Sequence, residues 1–493
     1  MLARIGLFIA VLVAGAWVYL TMFTSSDKYF ADLKSDLQQA FAAEEIEIGG
    51  FRRLQGEFQI GKMAMIGGEN TFFSDLEVMN LKCQMGLLDS FAETWEPGLI
   101  EIDRAEISLR AGSDSEESSK AIADVLFYQP KSVKIEAILV ANATLRWGYS
   151  KRTRGRIVGS EMRARKIDGG WRLIFKGGRF SQNWLKELEI NELIVSVGRS
   201  GLVFEKADLK KGEGSILFTG LEVESGQRPK ISGNLILRRM DLADLLPENA
   251  QEIVEGRISG EFDVMGSTNS IDGVGFEGKV ELAGEDEILL RDQIPLLRAL
   301  SVVDALNNYK RVSFREGSFY LKSYNGTVEL SQIDLKAEDL LTLTGNVSAR
   351  APTTQEMLEM AEKEDVSATI LTDDKAEAKD AQFTLKDAAT EQQKDKEANL
   401  DKEDKSIFDR LGLNEETRRA ESEEVELQLR SYRYQGQLLA TLKKDAFARA
   451  PLLAVEYPVN ESSRRIPFEI PIEGLLFELT ADQAEEVYVK GTR

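Results

Sequence analysis

Gly273-Val274-Gly275-Phe276-Glu277-Gly278-Lys279 fits two phosphate-binding spacings at once, G-x-G-x-x-G and the first seven positions of G-x-x-x-x-G-K. To hold phosphate, the first pattern must follow a strand and open a helix, and the second must carry Ser or Thr after its Lys for magnesium. Val280 stands in that place and residues 280–282 continue as strand, so the glycines read as strand bends or turns. Residues 146–180 are the second candidate, with eleven Lys and Arg against two acids and with Trp147, Tyr149, Trp171 and Phe175 interleaved. Cations with aromatic rings suit single-stranded nucleic acid, and cations near a charged bilayer suit anionic lipid headgroups. A solvated strand face accounts for the same residues with no ligand. Arg163, Arg165, Lys166 and Arg172 are the candidate headgroup contacts, and no nucleic-acid partner is expected.

Catalysis finds little to work with. The chain has no histidine, which removes Ser-His-Asp and Cys-His catalysis, His-ligated zinc and imidazole pH sensing. Its one cysteine, Cys83, forms no intramolecular disulfide and reads as a small apolar strand residue. Asp and Glu number 83, so a paired-carboxylate hydrolase is open by residue type. So many acids guarantee chance neighbours, however, and no pair stands out. No metal-ligand spacing is present. The expectation is a protein that is not an enzyme, with no cofactor and no metal.

The elements that would position any site begin with residues 5–23, IGLFIAVLVAGAWVYLTMF, which carry no charge. At ~1.5 Å per residue a helix of this length approaches the ~30 Å hydrocarbon thickness of a bilayer. Ile5, Leu7, Phe8, Val11, Leu12, Trp17, Leu20 and Phe23 are its candidate anchoring residues. Ala14-Gly15-Ala16 resembles a signal-peptidase site, so a cleaved signal competes with an anchor. The apolar run continues past that site, and an uncleaved signal anchor that exports the bulk of the chain is the expectation. Phe30, Leu33, Leu37 and Phe41 then recur at helical spacing, so an amphipathic helix either lies on the membrane or caps the first strands.

From Ile46 onward the period is two. Short alternating runs with glycine-bearing turns between them continue to residue 109, resume at Val133, and run to Leu237 and again through residues 256–283, which indicates antiparallel sheet. Leu242, Leu245 and Leu246 share a face and suggest a short helix. Residues 295–307 form an amphipathic helix pattern through Leu296, Leu297, Leu300 and Val303. Beyond it Phe319 and Leu321 alternate with polar residues up to Asn325-Gly326, the strongest short-range signal for a type I′ hairpin turn. Val328 and Leu330 then give way to Ile333 and Leu335 with one residue too many between them, which predicts a bulge or a bend. No repeat of 20 to 50 residues is present, which argues against a propeller or a leucine-rich solenoid.

The composition changes at Pro352. Residues 352–424 hold 22 Asp and Glu against 11 Lys and Arg, so that about half of the chain's net charge of −21 sits there. Such a segment buries too little apolar surface to offset its ordering entropy and is expected to be mostly disordered, with a small docking helix at residues 406–413. Strand-like runs at residues 425–429, 434–442, 454–459, 468–472 and 475–479 follow and are expected to complete the interrupted sheet.

The stretch IPLLRALS followed by FREGSFYLKSYNGTVELSQIDLKAEDLLTLTGNVSAR resembles the C-terminal region of the AsmA-like family of bacterial envelope proteins. The N-terminal apolar segment and the run FRRLQGEFQIGKMAMIGGENTFFSDLEVMNLKCQM also suit that family. The resemblance implies an inner-membrane anchor, a long U-shaped β-sheet in the periplasm, and a part in moving phospholipid toward the outer membrane. The expected fold is therefore mainly β, a long antiparallel, curved sheet with a few short helices and an N-terminal transmembrane helix. Its expected divisions are an anchor at 1–25, a groove domain at 26–351 with the AsmA-like region at 292–350, the acidic insert at 352–424 and closing strands at 425–493. Phe319, Leu321, Val328, Leu330, Ile333 and Leu335 are the candidate groove lining. Phospholipid acyl chains, the inner membrane and other envelope proteins are the expected partners. An envelope scaffold without lipid cargo is the competing reading.

Overall fold

The computed structural model describes residues 27–54, 57–84, 96–110, 134–150, 153–182, 185–224, 230–245, 254–267, 273–282, 284–291, 297, 300–301, 303, 308–351, 353, 356 and 432–475. The proposed anchor, the docking helix at 406–413 and most of the acidic segment lie outside these residues. Among the described residues no helix is long and apolar enough to cross a membrane. Contacts divide the chain into two compact units, residues 1–290 with 313–325 and 335–338, and residues 291–312 with 326–334 and 339–493.

The chain is mainly β. The first unit opens with helix α1 (Asp27–Ala40), then β1 (Ala43–Gly49), β2 (Arg52–Leu54), β3 (Glu57–Gly67), β4 (Phe73–Gln84) and β5 (Leu99–Leu109). It continues through β6 (Ala137–Ser150), β7 (Thr153–Ile167), β8 (Gly170–Lys176), β9 (Arg179–Gln182), β10 (Leu185–Gly198), β11 (Gly201–Lys211), β12 (Gly214–Glu224) and β13 (Lys230–Asp241). A single helical turn, α2 (Leu242–Leu245), precedes β14 (Val254–Ser267), β15 (Val274–Leu282) and β16 (Glu287–Arg291), and β17 (Arg311–Phe314) and β18 (Glu316–Tyr324) follow. The second unit carries most of β19 (Thr327–Ala337), then β20 (Leu341–Arg350), β21 (Arg433–Lys443), helix α3 (Pro451–Glu456) and β22 (Arg465–Leu475).

Among the described strand pairs the pairing is antiparallel, as the alternating runs predict, except at β5 and β6. β5 and β6 run parallel, Ile102 opposite Val140. A parallel neighbour needs a crossover of a dozen or more residues, and the chain between Leu109 and Ala137 is long enough to supply it. Sequence alternation is blind to this because parallel and antiparallel strands share the same two-residue period.

Three-residue steps interrupt the apolar alternation. In β4 the inward residues step from Val78 to Leu81 across Asn80, whose φ is 53°. The same three-residue step with a left-handed residue just before the second inward side chain recurs in β7 (Ile157, Gly159, Ser160), β10 (Leu185, Glu187, Leu188) and β12 (Phe218, Gly220, Leu221). It recurs again in β13 (Leu237, Arg239, Met240) and in β19 (Leu330, Gln332, Ile333). In β10 opposite β9, β12 opposite β13 and β13 opposite β14 the register shifts by one at this step, so a bulge absorbs the extra residue, bends the strand and leaves the apolar pattern intact; β4 against β3 and β5, and β7 against β8 and β9, stay in register across the step, which the neighbouring strands share. The break in alternation expected in β19 falls at Gln332, whose φ is 52° and whose amide donates to Asn346 Oδ1 at 2.9 Å. Asn325 and Gly326 both have positive φ, 51° and 70°, as a type I′ turn requires.

Three other expectations have definite outcomes. Leu297, Leu300, Ser301 and Val303 are helical and buried, in line with the amphipathic pattern. The glycine-rich motif lies along β15, and no helix follows it there: a Cβ on Gly278 would sit 2.0 Å from the Glu261 carbonyl oxygen. These glycines let strands approach and cradle no phosphate. The run at residues 454–459, read as strand, is instead part of α3 and the turn after it, because Pro451 at the first turn presets the helical φ.

The start of the acidic segment is fastened in a way its composition conceals. Thr353 and Glu356 form a capping box: the Thr353 amide donates to Glu356 Oε2 at 2.8 Å and the Glu356 amide to Thr353 Oγ1 at 3.3 Å. Arg350 donates to both Glu356 oxygens at 2.9 Å, and Arg433, its cross-strand partner on β21, stands 3.7 Å away. The Arg350 guanidinium, then the Thr353 amide, holds the Glu356 carboxyl well below the ordinary carboxylate range.

Two predictions follow from these contacts. Gly278→Ala forces β14 and β15 apart and lowers stability by roughly 2–4 kcal/mol in denaturant unfolding. Glu356→Gln lowers Tm at pH 7. Because the folded carboxyl is the stronger acid, the lost stabilisation is fully present above about pH 5 and fades as pH falls through the ordinary carboxylate pKa of ~4.3 toward the depressed folded value. The Tm gap between wild type and variant therefore closes in acid.

Candidate functional site

The first unit concentrates its apolar side chains on one sheet face, and the strand registers join them into a row. Ile60 pairs with Leu81, Leu81 with Ile102, Ile102 with Val140 and Val140 with Met162. The row continues through Phe175, Leu193, Ala207 and Phe218. It ends through Leu235, Phe262, Gly278 and Leu321. From β3 to β18 no polar side chain interrupts it. A parallel row in the later strands runs Ile190, Leu209, Ile216, Leu237, Gly260, Val280 and Phe319.

At the β3 end this face bounds a cavity of about 220 Å³. Leu33, Leu37 and Phe41, four residues apart on and just beyond α1, line it from above, and Phe58, Val78, Cys83 and Met162 from the sheet. The helix is seated by aromatic contacts: Tyr29 to Phe58 at 6.2 Å, Phe30 to Phe51 at 5.4 Å and Phe51 to Phe58 at 5.9 Å between ring centroids. Of the two placements open to this helix, capping the first strands is the one observed. Every lining residue is apolar, and Cys83 alone carries a titratable group. Burial, with a smaller contribution from Glu57, pushes its thiol up to about 11. Such a site has no base, no nucleophile at neutral pH and no cation. What it offers is dispersion contact and release of water, about 25 cal/mol per Å² of apolar surface covered.

The opposite face carries the charges. On β7 Met162 and Ala164 are buried while Arg163 and Arg165 are exposed, and Arg165 stands across from exposed Arg172 on β8. Arg163 pairs with Glu161 at 2.8 Å and Arg172 with Glu205 at 2.5 Å; exposed pairs of this kind contribute little to stability. Lys166 departs from its neighbours, since its register partner is Trp171 and it falls on the apolar side. Trp147, bonded through Nε1 to Gln182 at 3.0 Å, shares that side with Leu145, as does Phe175 with Met162. Among the described side chains, Trp147, Trp171 and Phe175 thus lie on one face and Arg163, Arg165 and Arg172 on the other, and a stacking platform needs both on one.

Of the candidate groove residues, Phe319 and Leu321 fall on the apolar rows beside Val280 and Gly278. Val328 and Leu330 are half-buried on β19, and Ile333 and Leu335 are buried there past the bulge. Sequence reading missed the cavity under α1. Its lining strands were legible as alternating runs, and Leu33, Leu37 and Phe41 as a helical stripe, but only the pairing joins them. Compared with protein-family models, with curated proteins and with solved structures, the chain finds no match.

Cys83 provides a direct probe. The folded state keeps its proton where the unfolded chain releases it near pH 8.5, so stability is unaffected below that pH and falls as pH rises toward 11, by roughly 3 kcal/mol in all. Cys83→Ala removes that part of the alkaline loss. At pH 8 maleimide labelling of the folded protein is slow and becomes fast on unfolding.

Proposed function

We propose that the protein carries or guides phospholipid, with acyl chains lying along the apolar face of the first unit and headgroups remaining in water. The observation that carries this reading is the unbroken apolar row from Ile60 to Leu321. Acyl chains need a continuous apolar path and no chemical step, and a sheet with one apolar face supplies it. The bulges that bend successive strands suit a curved, U-shaped groove, and the cavity beneath α1 suits a place where a chain is held. Arg163, Arg165 and Arg172 suit contact with anionic headgroups at a membrane surface. The uncharged residues 5–23 suit a single inner-membrane anchor with the bulk of the chain in the periplasm, where the cargo would pass between inner and outer membranes.

Native mass spectrometry of the full chain, purified in mild detergent, is expected to show bound phospholipid. Leu321→Lys places an ammonium on the half-buried part of the row and lowers lipid retention about tenfold while the far-UV spectrum stays that of a β protein. Lipid-free protein, or retention unchanged in a folded Leu321→Lys variant, overturns the proposal and leaves an envelope scaffold without cargo.

A further inference from the structure

Helix α1 packs tightly over the sheet at one end and loosely at the other. Tyr29 and Leu33 are buried, 3% and 6% exposed, whereas Leu37 and Phe41 continue the same stripe half-exposed above the cavity. Fastening at both ends keeps the helix from settling further. At its start Tyr29 stands 6.2 Å from Phe58. At its end Gln38 Nε2 donates to the Glu44 carbonyl at 2.9 Å, and the Gly68 amide donates to the Ala42 carbonyl at 3.2 Å. The space so held is about 220 Å³, and every side chain around it is apolar but for the Cys83 thiol. Water gains no hydrogen-bond partners in such a place, and an apolar cavity of ~150 Å³ already takes benzene. Its chemistry selects hydrocarbon.

Chain length selects the source of that hydrocarbon. The uncharged residues 5–23 end four residues before Asp27, where α1 begins. Four residues reach at most ~14 Å, and Leu33 is six residues further on, ~9 Å along a helix. Along the chain, the cavity is therefore the part of the apolar face nearest to a bilayer that takes residues 5–23. We propose that the cavity receives one acyl chain of a phospholipid from that bilayer, with Leu37 and Phe41 as its mouth. This inference rests on the lipid-carrying reading and names the place where cargo first leaves the membrane.

The test uses the full chain in a phosphatidylcholine nanodisc doped with a phosphatidylcholine that bears a diazirine on one acyl chain. Photolysis is expected to label both the β4 peptide, which brings Val78 and Cys83 to the cavity, and the β18 peptide, which carries Leu321. Ala105 lines the cavity opposite Val78, and Ala105→Leu fills part of it. That variant is expected to lower the β4 label about tenfold while the β18 label persists. Leu37→Gln should lower the β4 label in the same way from a half-exposed helix position, so the test survives a folding defect in either variant. Label on β18 with none on β4 overturns this inference alone. Label on neither peptide overturns the lipid-carrying reading with it. An undiminished β4 label in both variants overturns the cavity as the receiving site.

Discussion

Everything in the first unit depends on keeping one face of a very long ladder apolar. A strand has a period of two, so a single added residue reverses the facing of every side chain after it. This chain contains such added residues in β10, β12 and β13, and it absorbs each one in a bulge whose left-handed residue precedes an inward side chain. Asn80, Glu187, Arg239 and Gln332 bear this conformation without being glycine, a local strain that is tolerated where the flanking apolar side chains are well packed. The bulges therefore preserve the pattern and bend the sheet by the same act.

The separation of faces also decides what chemistry is open to the molecule. Charged residues form exposed pairs on one side, and the other side gathers aliphatic and aromatic groups into rows with a cavity at one end. Cys83, the one titratable group in that cavity, is held in its neutral form by its surroundings. An environment of this kind can hold an apolar molecule through area and shape, with little directional bonding.

The second unit applies the same physics differently. Its strands pair β20 to β21 to β22 without a break in register. The polar chemistry gathers at the ends, in the Arg350, Glu356 and Arg433 cluster where the acidic segment leaves the sheet, and in the turn closed by Asn460.

The sequence by itself determined that the chain is mainly antiparallel β, the Asn325-Gly326 turn, the break in alternation at Gln332 and the helical stripe of α1, since each rests on local periodicity or on the backbone freedom of one or two residues. It left strand order undetermined, and with it the parallel pairing of β5 with β6, the side on which Lys166 lies, and the union of Ile60, Ile102, Val140 and Met162 into one row. The run at residues 454–459 was misread because β-branched side chains outweighed the single Pro451 that starts a helix. Only the tertiary structure decided which apolar residues became neighbours, because pairing brings together side chains far apart in the chain and no local pattern records the partner.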